Sequence, residues 1–361
     1  MLATALLLMS FAQPTGQIAF VRPGPEGAAQ VCIYDFGTGE VTPVGPGMDD
    51  GAPVWAPDGS QLAFESDTES GGRGVVLATP DGTLKRIRHY YERNVSPAWS
   101  NDSARIAFSA MDPGEKSYMV VYDLAADREA VWGGDARGLM QPAWLAGRAL
   151  ETFVGAAEDY GWREGVAGTL LREASRQGAL VATGFVPAEG GLGTSLFVVS
   201  QNAAIEVPTI VLASQGDYDE WKPATHPREG RIAFESNDGG DREIFVLSFR
   251  TGTFDLSNHR AADWNPVWTP DPGWLAFESF RTGRRGLFRG NVESVRVEPI
   301  VASESYDNWG ISYAPNGGAF AFISNRDGEP ALYVQSGYGD SPQRIDAVGS
   351  PVGEPAWRPR P

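Results

Sequence analysis

The chain has 361 residues, of which 42% are apolar and 21% charged, and its formal net charge is −17. Such an acidic surface repels phosphate backbones and anionic lipid, so we expect neither a nucleic acid partner nor membrane insertion. The single cysteine, Cys32, excludes an internal disulfide and a cysteine-based zinc site.

The first 12 residues, MLATALLLMSFA, are apolar and resemble the core of a secretory signal peptide, although no Lys or Arg precedes Arg22. The stretch is too short to span a bilayer comfortably. We therefore predict a signal-peptide remnant at 1–12, a single domain over 13–361, and an exported protein in the periplasm or outside the cell.

One phrase recurs along the rest of the chain at a spacing of roughly 44 residues. It is PVWAPDGSQLAF from Pro53, PAWSNDSARIAF from Pro97 and PVWTPDPGWLAF from Pro266. Looser copies begin at Pro142, Pro187, Pro223, Ile311 and Pro355. The copies at Pro142 and Pro223 are nearly twice as far apart as other neighbouring copies, and the copy at Pro187 lies between them. The unit from 187 to 222 is shorter than the others.

Each repeat contains four short β-rich runs separated by turns of Gly, Pro, Asp and Asn, which is typical of a propeller blade. The sequence predicts an all-β fold, a β-propeller of four-stranded blades. Eight blades are preferred, and seven are expected if the 187–222 unit is an insertion. The C-terminal PAWRPRP supplies a first strand, and the N-terminal segment from Gly16 supplies strands two to four. Pairing of the two would close the ring.

These repeats resemble the TolB-like, WD-repeat-like β-propeller family, whose pattern is roughly P-x-W-S-P-D-G-x-x-I-A-F-x-S-x-R-D-G. The segments PVWAPDGSQLAFESD, RIAFESNDGGDREIFVLSFRTG and FISNRDGEPALYVQ match it best, and the match is weakest at 145–222. The resemblance implies a non-catalytic, often exported scaffold that binds proteins through its faces. Fold alone does not fix function.

Because the phrase is repeated, we expect its Trp55 and Phe64 to lie in the core. A ligand site is expected instead in the loops just before each copy, which differ between repeats. In a propeller these loops surround the mouth of the central channel. They carry aromatic rings and hydrogen-bonding groups suited to a ligand. The candidate ligand-binding residues are Tyr91, Asp219, Trp221, Asp263, Trp264, Asn265, Asp307, Asn308 and Trp309. The alternative is structural: the repeated D-x-W element would then wedge between blades and cap a turn.

Signals for catalysis are weak, so we lean toward a protein that is not an enzyme. No G-x-S-x-G elbow or phosphate-binding loop is present, and His89, His226 and His259 suit solvated loop positions better than a metal site. The loops SNDGGD and SNRDG are similar to calcium-binding loops in composition but lack the EF-hand spacing. We therefore expect no cofactor and regard calcium as a minor alternative.

Two functions remain open from the sequence. The first is an exported, monomeric scaffold that binds a protein or peptide at the channel mouth without turnover. The alternative is a carbohydrate-binding or carbohydrate-active propeller that uses the same face for an oligosaccharide.

Overall fold

The computed structural model describes residues 14–360, apart from 88–90, 115, 135, 137, 146–149, 154, 156–164, 189–190, 207–217, 239 and 249–251. The predicted signal-peptide remnant and His89 therefore lie outside the described residues. The regular secondary structure of the described residues is almost entirely β-strand, as predicted. Helix α1 (Gly165–Gln177), a short helical stretch at 150–153 and a 3₁₀ turn (Asp346–Val348) are the described helical segments.

The strands follow one another in antiparallel groups of four. In chain order they are β1 (Gln17–Pro23), β2 (Ala29–Asp35), β3 (Val41–Pro43), β4 (Gly51–Trp55), β5 (Leu62–Asp67), β6 (Arg73–Ala78), β7 (Leu84–Arg86), β8 (Arg93–Trp99), β9 (Arg105–Met111), β10 (Ser117–Asp123), β11 (Arg128–Trp132), β12 (Met140–Trp144), β13 (Leu180–Ala188), β14 (Gly191–Val199), β15 (Ala204–Glu206), β16 (Glu220–Thr225), β17 (Arg231–Ser236), β18 (Glu243–Ser248), β19 (Gly252–Asp255), β20 (Asp263–Trp268), β21 (Trp274–Ser279), β22 (Gly286–Asn291), β23 (Arg296–Val301), β24 (Asn308–Tyr313), β25 (Phe320–Ser324), β26 (Ala331–Gln335), β27 (Gln343–Arg344) and β28 (Ala356–Trp357).

We number the four-stranded groups I to VII. Unit I combines β28 with β1, β2 and β3, and units II to VII take the remaining strands in fours along the chain. Units II and III share one sheet through a single parallel pair, Arg73 with Arg93. In unit I the C-terminal strand pairs with the N-terminal one, Ile18 opposite Trp357 and Ala19 opposite Ala356, as the sequence predicts.

The predicted first strand at Pro187 is wrong. Pro187 lies near the end of β13, where it pairs with Leu192 of β14, so this segment is a hairpin within unit IV. The extra length lies instead between Trp144 and Leu180, and includes α1. The mistake has a simple cause: the helical insertion separates strand 1 from strand 2, so the repeat loses its phase there.

The recurring Ala-Phe pair of the second strand forms the core of the units. Its phenylalanines are all buried at 2% exposure or less: Phe20, Phe64, Phe108, Phe234, Phe277 and Phe322. Trp55 is also buried, as expected of the repeated phrase. Since residues of a strand alternate between faces, the neighbours of each phenylalanine bury the other face of the sheet against the next unit.

Tryptophans at the end of the first strand join successive units. The indole Nε1 of Trp99 donates to the carbonyl of Val54, 3.0 Å away in the preceding unit. Trp55, Trp144 and Trp268 make the same bond to Ala356, Ala98 and Ala224. Each ring thus fills the space between two sheets and satisfies its one donor on the strand it meets.

The junction between units IV and V is built differently. Thr225 occupies the tryptophan position of unit V, and its hydroxyl donates to the carbonyl of Trp144 over 2.7 Å. Here the apolar cluster includes Leu145, Phe153 and Leu170 from the insertion, packed with residues of both sheets. The helix ends at Gly178, which has a φ of 84° and donates its N–H to the carbonyl of Ala174.

Candidate functional site

The candidate residues lie on one face of the units. In antiparallel groups of four, the loops from strand 2 to strand 3 and from strand 4 to the next first strand emerge at the same end. We call this end the top face, and the end carrying the 1–2 and 3–4 turns the bottom face. The first strands of successive units contact one another, from β28 through β4, β8, β12, β16, β20 and β24 back to β28. The candidates at the beginning of first strands, such as Trp264 and Trp309, therefore lie near the middle of the units.

A bulge interrupts the first strand of units II to VII, at the residue three places before the tryptophan position. The bulged residues have positive φ, between 47° and 65°: Ala52, Ser96, Gln141, Lys222, Asn265 and Gly310. The left-handed conformation is costly for residues other than glycine, by roughly 1–2 kcal/mol, so its repetition shows that the surrounding contacts impose it.

Those contacts come from the preceding unit. The bulge N–H of Ser96 and that of Asn265 each donate over 2.8 Å to a second-strand glutamate, Glu65 and Glu235 respectively. The N–H of Gly310 donates to Glu278 over 3.1 Å. At these three positions the backbone N–H therefore ties neighbouring units together without using the side chain of the bulged residue.

Each of these glutamates is also neutralised by an arginine at the start of the third strand. The pairs are Glu65 with Arg73, Glu235 with Arg242 and Glu278 with Arg285. A buried carboxylate needs such a partner, because desolvation of an isolated charge is costly. The acidic residues at the base of the top face thus hold the fold together.

The tryptophans predicted to bind ligand lie partly exposed beside these arginines. The guanidinium of Arg285 lies over the rings of both Trp264 and Trp309, 5.6 and 5.5 Å from their centroids. Arg242 lies 5.2 Å from the ring of Trp221. Phe280, 47% exposed, packs against Trp264 at 4.9 Å. The sequence did not single out Arg285 or Phe280, although Phe280 lies three residues after the end of the shared phrase.

Asp219 and Asp307 hold loops in equivalent ways. The carboxylate of Asp219 accepts the backbone N–H and the hydroxyl of Thr194, at 2.8 and 3.0 Å. Asp307 accepts the N–H of Arg285 at 3.0 Å. Both residues donate their own N–H to an asparagine of the SNDGGD or SNRDG loop, Asn237 or Asn325. The asparagines of these calcium-like loops therefore support turns.

Asp263 and Asn308 are fully buried at the start of their strands. Asp263 pairs with Arg281 at 2.7 Å, and Asn308 accepts from Arg326 at 3.0 Å. Asp263 Oδ1 and Asn308 Nδ2 have no hydrogen-bond partner in the described protein. Their burial leaves neither side chain open to a large ligand, which is the behaviour expected of structural residues.

Asn265 is the candidate with the widest reach. Its Nδ2 donates to Glu278 at 2.9 Å and to Glu354 at 2.8 Å. Glu354 belongs to the segment before β28 in unit I, whereas Asn265 belongs to unit VI. The bond therefore joins two units that are not neighbours, since unit VII lies between them in the order of the first strands. Glu354 occupies the same place in its repeat as Asn265, and aligning the residue before each recurring proline would have found it.

Tyr91 lies apart from the other candidates. Its ring stacks on that of Tyr118 at 5.2 Å, and it lines a cavity of about 450 Å³ with Arg93, Met111 and Asp112. The structure therefore does not bring all the candidates into one site. Trp221, Trp264 and Trp309 are the partly exposed candidates of the top face, Asn265 is buried next to Trp264, and Tyr91 belongs to a separate depression.

A second cavity of about 500 Å³ is acidic, with Asp238, Asp241, Glu243, Asp255 and His259 among its lining residues. Burial, reinforced by the nearby carboxylates of Asp263 and Asp255, raises the pKa of Glu243 to about 8. Burial likewise raises the pKa of Asp255. Within the described ranges, no group of three or more His, Cys, Asp or Glu has an arrangement that could hold a metal ion.

The two described histidines serve the loops. His226 is buried against Trp268, accepts the N–H groups of Arg228 and Glu229 on Nδ1, and has its pKa lowered by burial. His259 lines the acidic cavity and accepts the N–H of Ala261 at 3.0 Å. In the part of the chain that the structure describes, no helix is both long and apolar enough to cross a membrane.

Solved structures with the same architecture are β-propellers. TolB from Acinetobacter baumannii matches 97% of this chain and 68% of its own length, with a TM-score of 0.57 and 16% identity. The β-propeller domain of the Trilobed protease from Pyrococcus furiosus matches 94% of this chain and 97% of its own length, with a TM-score of 0.64 and 10% identity.

The acylaminoacyl peptidase of Pyrococcus horikoshii matches 91% of this chain, which spans 50% of the peptidase, with a TM-score of 0.56 and 12% identity. No family model matches the chain. At these identities the likeness is one of fold, and the chain has a TolB-like β-propeller fold, as the repeats indicated.

Proposed function

We propose that this protein is an exported, non-catalytic propeller of seven blades that binds a protein or peptide partner through its top face. The observation that carries the proposal is the row formed by Trp264, Arg285 and Trp309 with the exposed ring of Phe280. Aromatic rings and arginine are the side chains most enriched in the energetic centres of protein interfaces. Carbohydrate binding has no comparable observation in its favour.

Closure of the ring is part of the proposal. Its support is a set of contacts that returns to its starting point: β28 pairs with β1, the indole bonds run from unit to unit, and the N–H of Trp357 donates to Ser312 of unit VII over 2.9 Å. A closed ring leaves no first strand as a free edge, and it would hold the top face rigid for binding. Export rests on the sequence of residues 1–12 alone.

Selection of peptides from a random library against the purified protein, followed by calorimetric titration, tests the binding face. We expect Trp264→Ala combined with Phe280→Ser to weaken the selected peptides by at least about tenfold, because the centre of the contact is lost. The matched control is Leu84→Ser, which removes an apolar side chain of 43% exposure on the bottom face and should change nothing.

Equal binding by the wild-type protein and the double variant would overturn the proposed face. Inclusion of oligosaccharides in the same titrations separates the two classes of ligand. A sugar that binds in the absence of any selected peptide, with loss on the Trp264 change, would replace the peptide proposal.

A further inference from the structure

Two cavities lie at the same place in units V and VI, next to one another on the top face. The acidic cavity belongs to unit V, a cavity of about 600 Å³ belongs to unit VI, and His259 lines both. Asp238 and Arg281 are equivalent, since each donates its N–H to the serine hydroxyl two residues earlier, at 3.2 and 3.1 Å. Asp255 and Pro299 are equivalent too, since each pairs with the third residue of a third strand. The two cavities are therefore one feature of the repeat with different side chains.

The cavity of unit VI offers mainly carbon atoms to a ligand, and we call it the apolar cavity. Its lining includes the buried ring of Phe288, the exposed Pro299 and the partly exposed Ala302. Arg281 also lines it, but its guanidinium is already paired with Asp263 at 2.7 Å. An apolar side chain that enters this cavity would be removed from water, which favours binding.

Carboxylates without a cation line the acidic cavity of unit V. There are four of them: Asp238, Asp241, Glu243 and Asp255. Asp241 is exposed, Asp238 and Asp255 are partly exposed, and Glu243 is buried on the hydroxyl of Ser257. Within the described residues none of the four has an ion pair within 4.0 Å, and neither has the exposed Arg260 beside them.

The neighbouring carboxylates of the top face differ in this respect. Glu235 pairs with Arg242, and Asp263 pairs with Arg281. In unit V the position of Arg281 is held by Asp238, so the cation of unit VI is replaced by a further negative charge. A cation brought by a ligand would therefore meet an excess of negative charge that the protein itself does not match.

We propose that the two cavities together bind an extended segment of the partner that carries a lysine or arginine close to a large apolar residue. The cation would lie among Asp238, Asp241 and Asp255, and the apolar side chain would enter the apolar cavity beyond His259. The inference rests on the proposed function, because the segment belongs to the partner of the top face. An acidic segment would be repelled, and a neutral one would leave the carboxylates unmatched.

Isothermal titration of the full chain with synthetic peptides tests this pair of cavities. Each peptide has blocked ends and contains one lysine and one leucine, separated by none to three glycines. We expect one spacing to bind best, with a 1:1 stoichiometry. Replacement of its lysine by norleucine, or of its leucine by glycine, should weaken binding at least about tenfold. Added salt should weaken the lysine peptide and leave the norleucine peptide unchanged, because only the first contact is between charges.

Variants of the acidic cavity identify where the lysine binds. Asp238→Asn combined with Asp255→Asn should lower the affinity for the lysine peptide to that for the norleucine peptide. Asp241→Asn, at an exposed residue, should give a smaller loss in the same direction. The matched control is Glu69→Gln combined with Glu329→Gln, which removes two exposed carboxylates from the equivalent loops of units II and VII and should bind as the wild type does. Thermal unfolding of each variant checks that the fold persists.

Four results would overturn the proposal: no binding of any peptide at millimolar concentration, equal binding of the lysine and norleucine peptides, an equal loss in the control variant, or calcium chloride that binds the acidic cavity and excludes the peptide. The Trp264 and Phe280 double variant should bind the lysine peptide normally. If the lysine peptides fail while library-selected peptides still depend on Trp264, only this segment is lost and the proposed function stands. If the library yields no peptide, the proposed function itself fails.

Discussion

Two kinds of junction hold neighbouring units together, and they solve one packing problem by different means. Between units II and III, Trp99 fills the gap and donates to Val54 of the preceding strand. Between units IV and V, Thr225 is too small to do so, and the insertion supplies Phe153 and Leu170 to the apolar cluster instead. A repeat can therefore lose its signature residue where a local insertion restores the lost volume.

The largest effect is expected at a tryptophan junction. Trp99→Ala removes a buried ring and leaves the Val54 carbonyl without its donor, so the free energy of unfolding should fall by about 3–5 kcal/mol. Urea denaturation followed by circular dichroism measures this change. A loss below about 1 kcal/mol would show that the ring is not the wedge between these units.

The helical junction should be nearly as sensitive, but at a residue outside the repeat. Leu170 is fully buried among residues of units IV and V, so Leu170→Ala should lower the free energy of unfolding by about 2–5 kcal/mol. The same denaturation experiment applies. A near-neutral result would mean that Leu170 of the helix does not fill space between these two units.

A pair of equivalent glycines gives a sharper comparison. Gly230 and Gly318 both precede the second strand of their units, but a Cβ at Gly230 would lie 2.4 Å from Cβ of Thr152 in the insertion. At Gly318 the nearest atom would lie at 3.5 Å. We expect Gly230→Ala to cost roughly 1–3 kcal/mol and Gly318→Ala to cost nothing or stabilise slightly. Equal changes in melting temperature would contradict the contact with the insertion.

The junction between units V and VI should respond to pH as well as to packing. The pKa of Glu243 is raised to about 8, above the value near 4.3 of an unfolded chain, so the folded state binds this proton more tightly. The contribution of protonated Glu243 to the free energy of unfolding is complete below about pH 4. It declines as pH rises to about 8, by at most roughly 1.4 kcal/mol per pH unit. In urea titrations from pH 5 to 9, Glu243→Gln should show a shallower decline than the wild type.

The sequence predicted the parts of the fold that repeat in phase. The Ala-Phe strands, the buried tryptophan of the repeated phrase and the pairing of the two chain ends all follow from comparing copies. The region of 145–222 was misassigned because its apolar wedge is helical and has no counterpart elsewhere. A run such as LFVVS, from Leu196, satisfies the β pattern whether it is the second strand or the third.

The candidate site was predictable only in part, for a different reason. Sequence comparison located the loops of the top face, but it could not tell a side chain that faces solvent from one that holds a loop. Asp263 and Trp264 are adjacent, yet one is fully buried on Arg281 and the other is accessible beside Phe280. Contacts between distant copies, such as Asn265 with Glu354, depend on the geometry of the whole assembly.

The bulge in the first strands has a consequence for how such a protein changes over time. Because the backbone N–H makes the structural bond at this position, different side chains are accommodated there, including Gln141 and Asn265, which add hydrogen bonds of their own. Ala, Ser, Gln, Lys, Asn and Gly all occur there within this one chain. Exchange of these residues would give a new chemical surface at the centre of an unaltered framework. The same set of positions is therefore a natural choice for a combinatorial library in which ligand preference is redesigned without loss of folding.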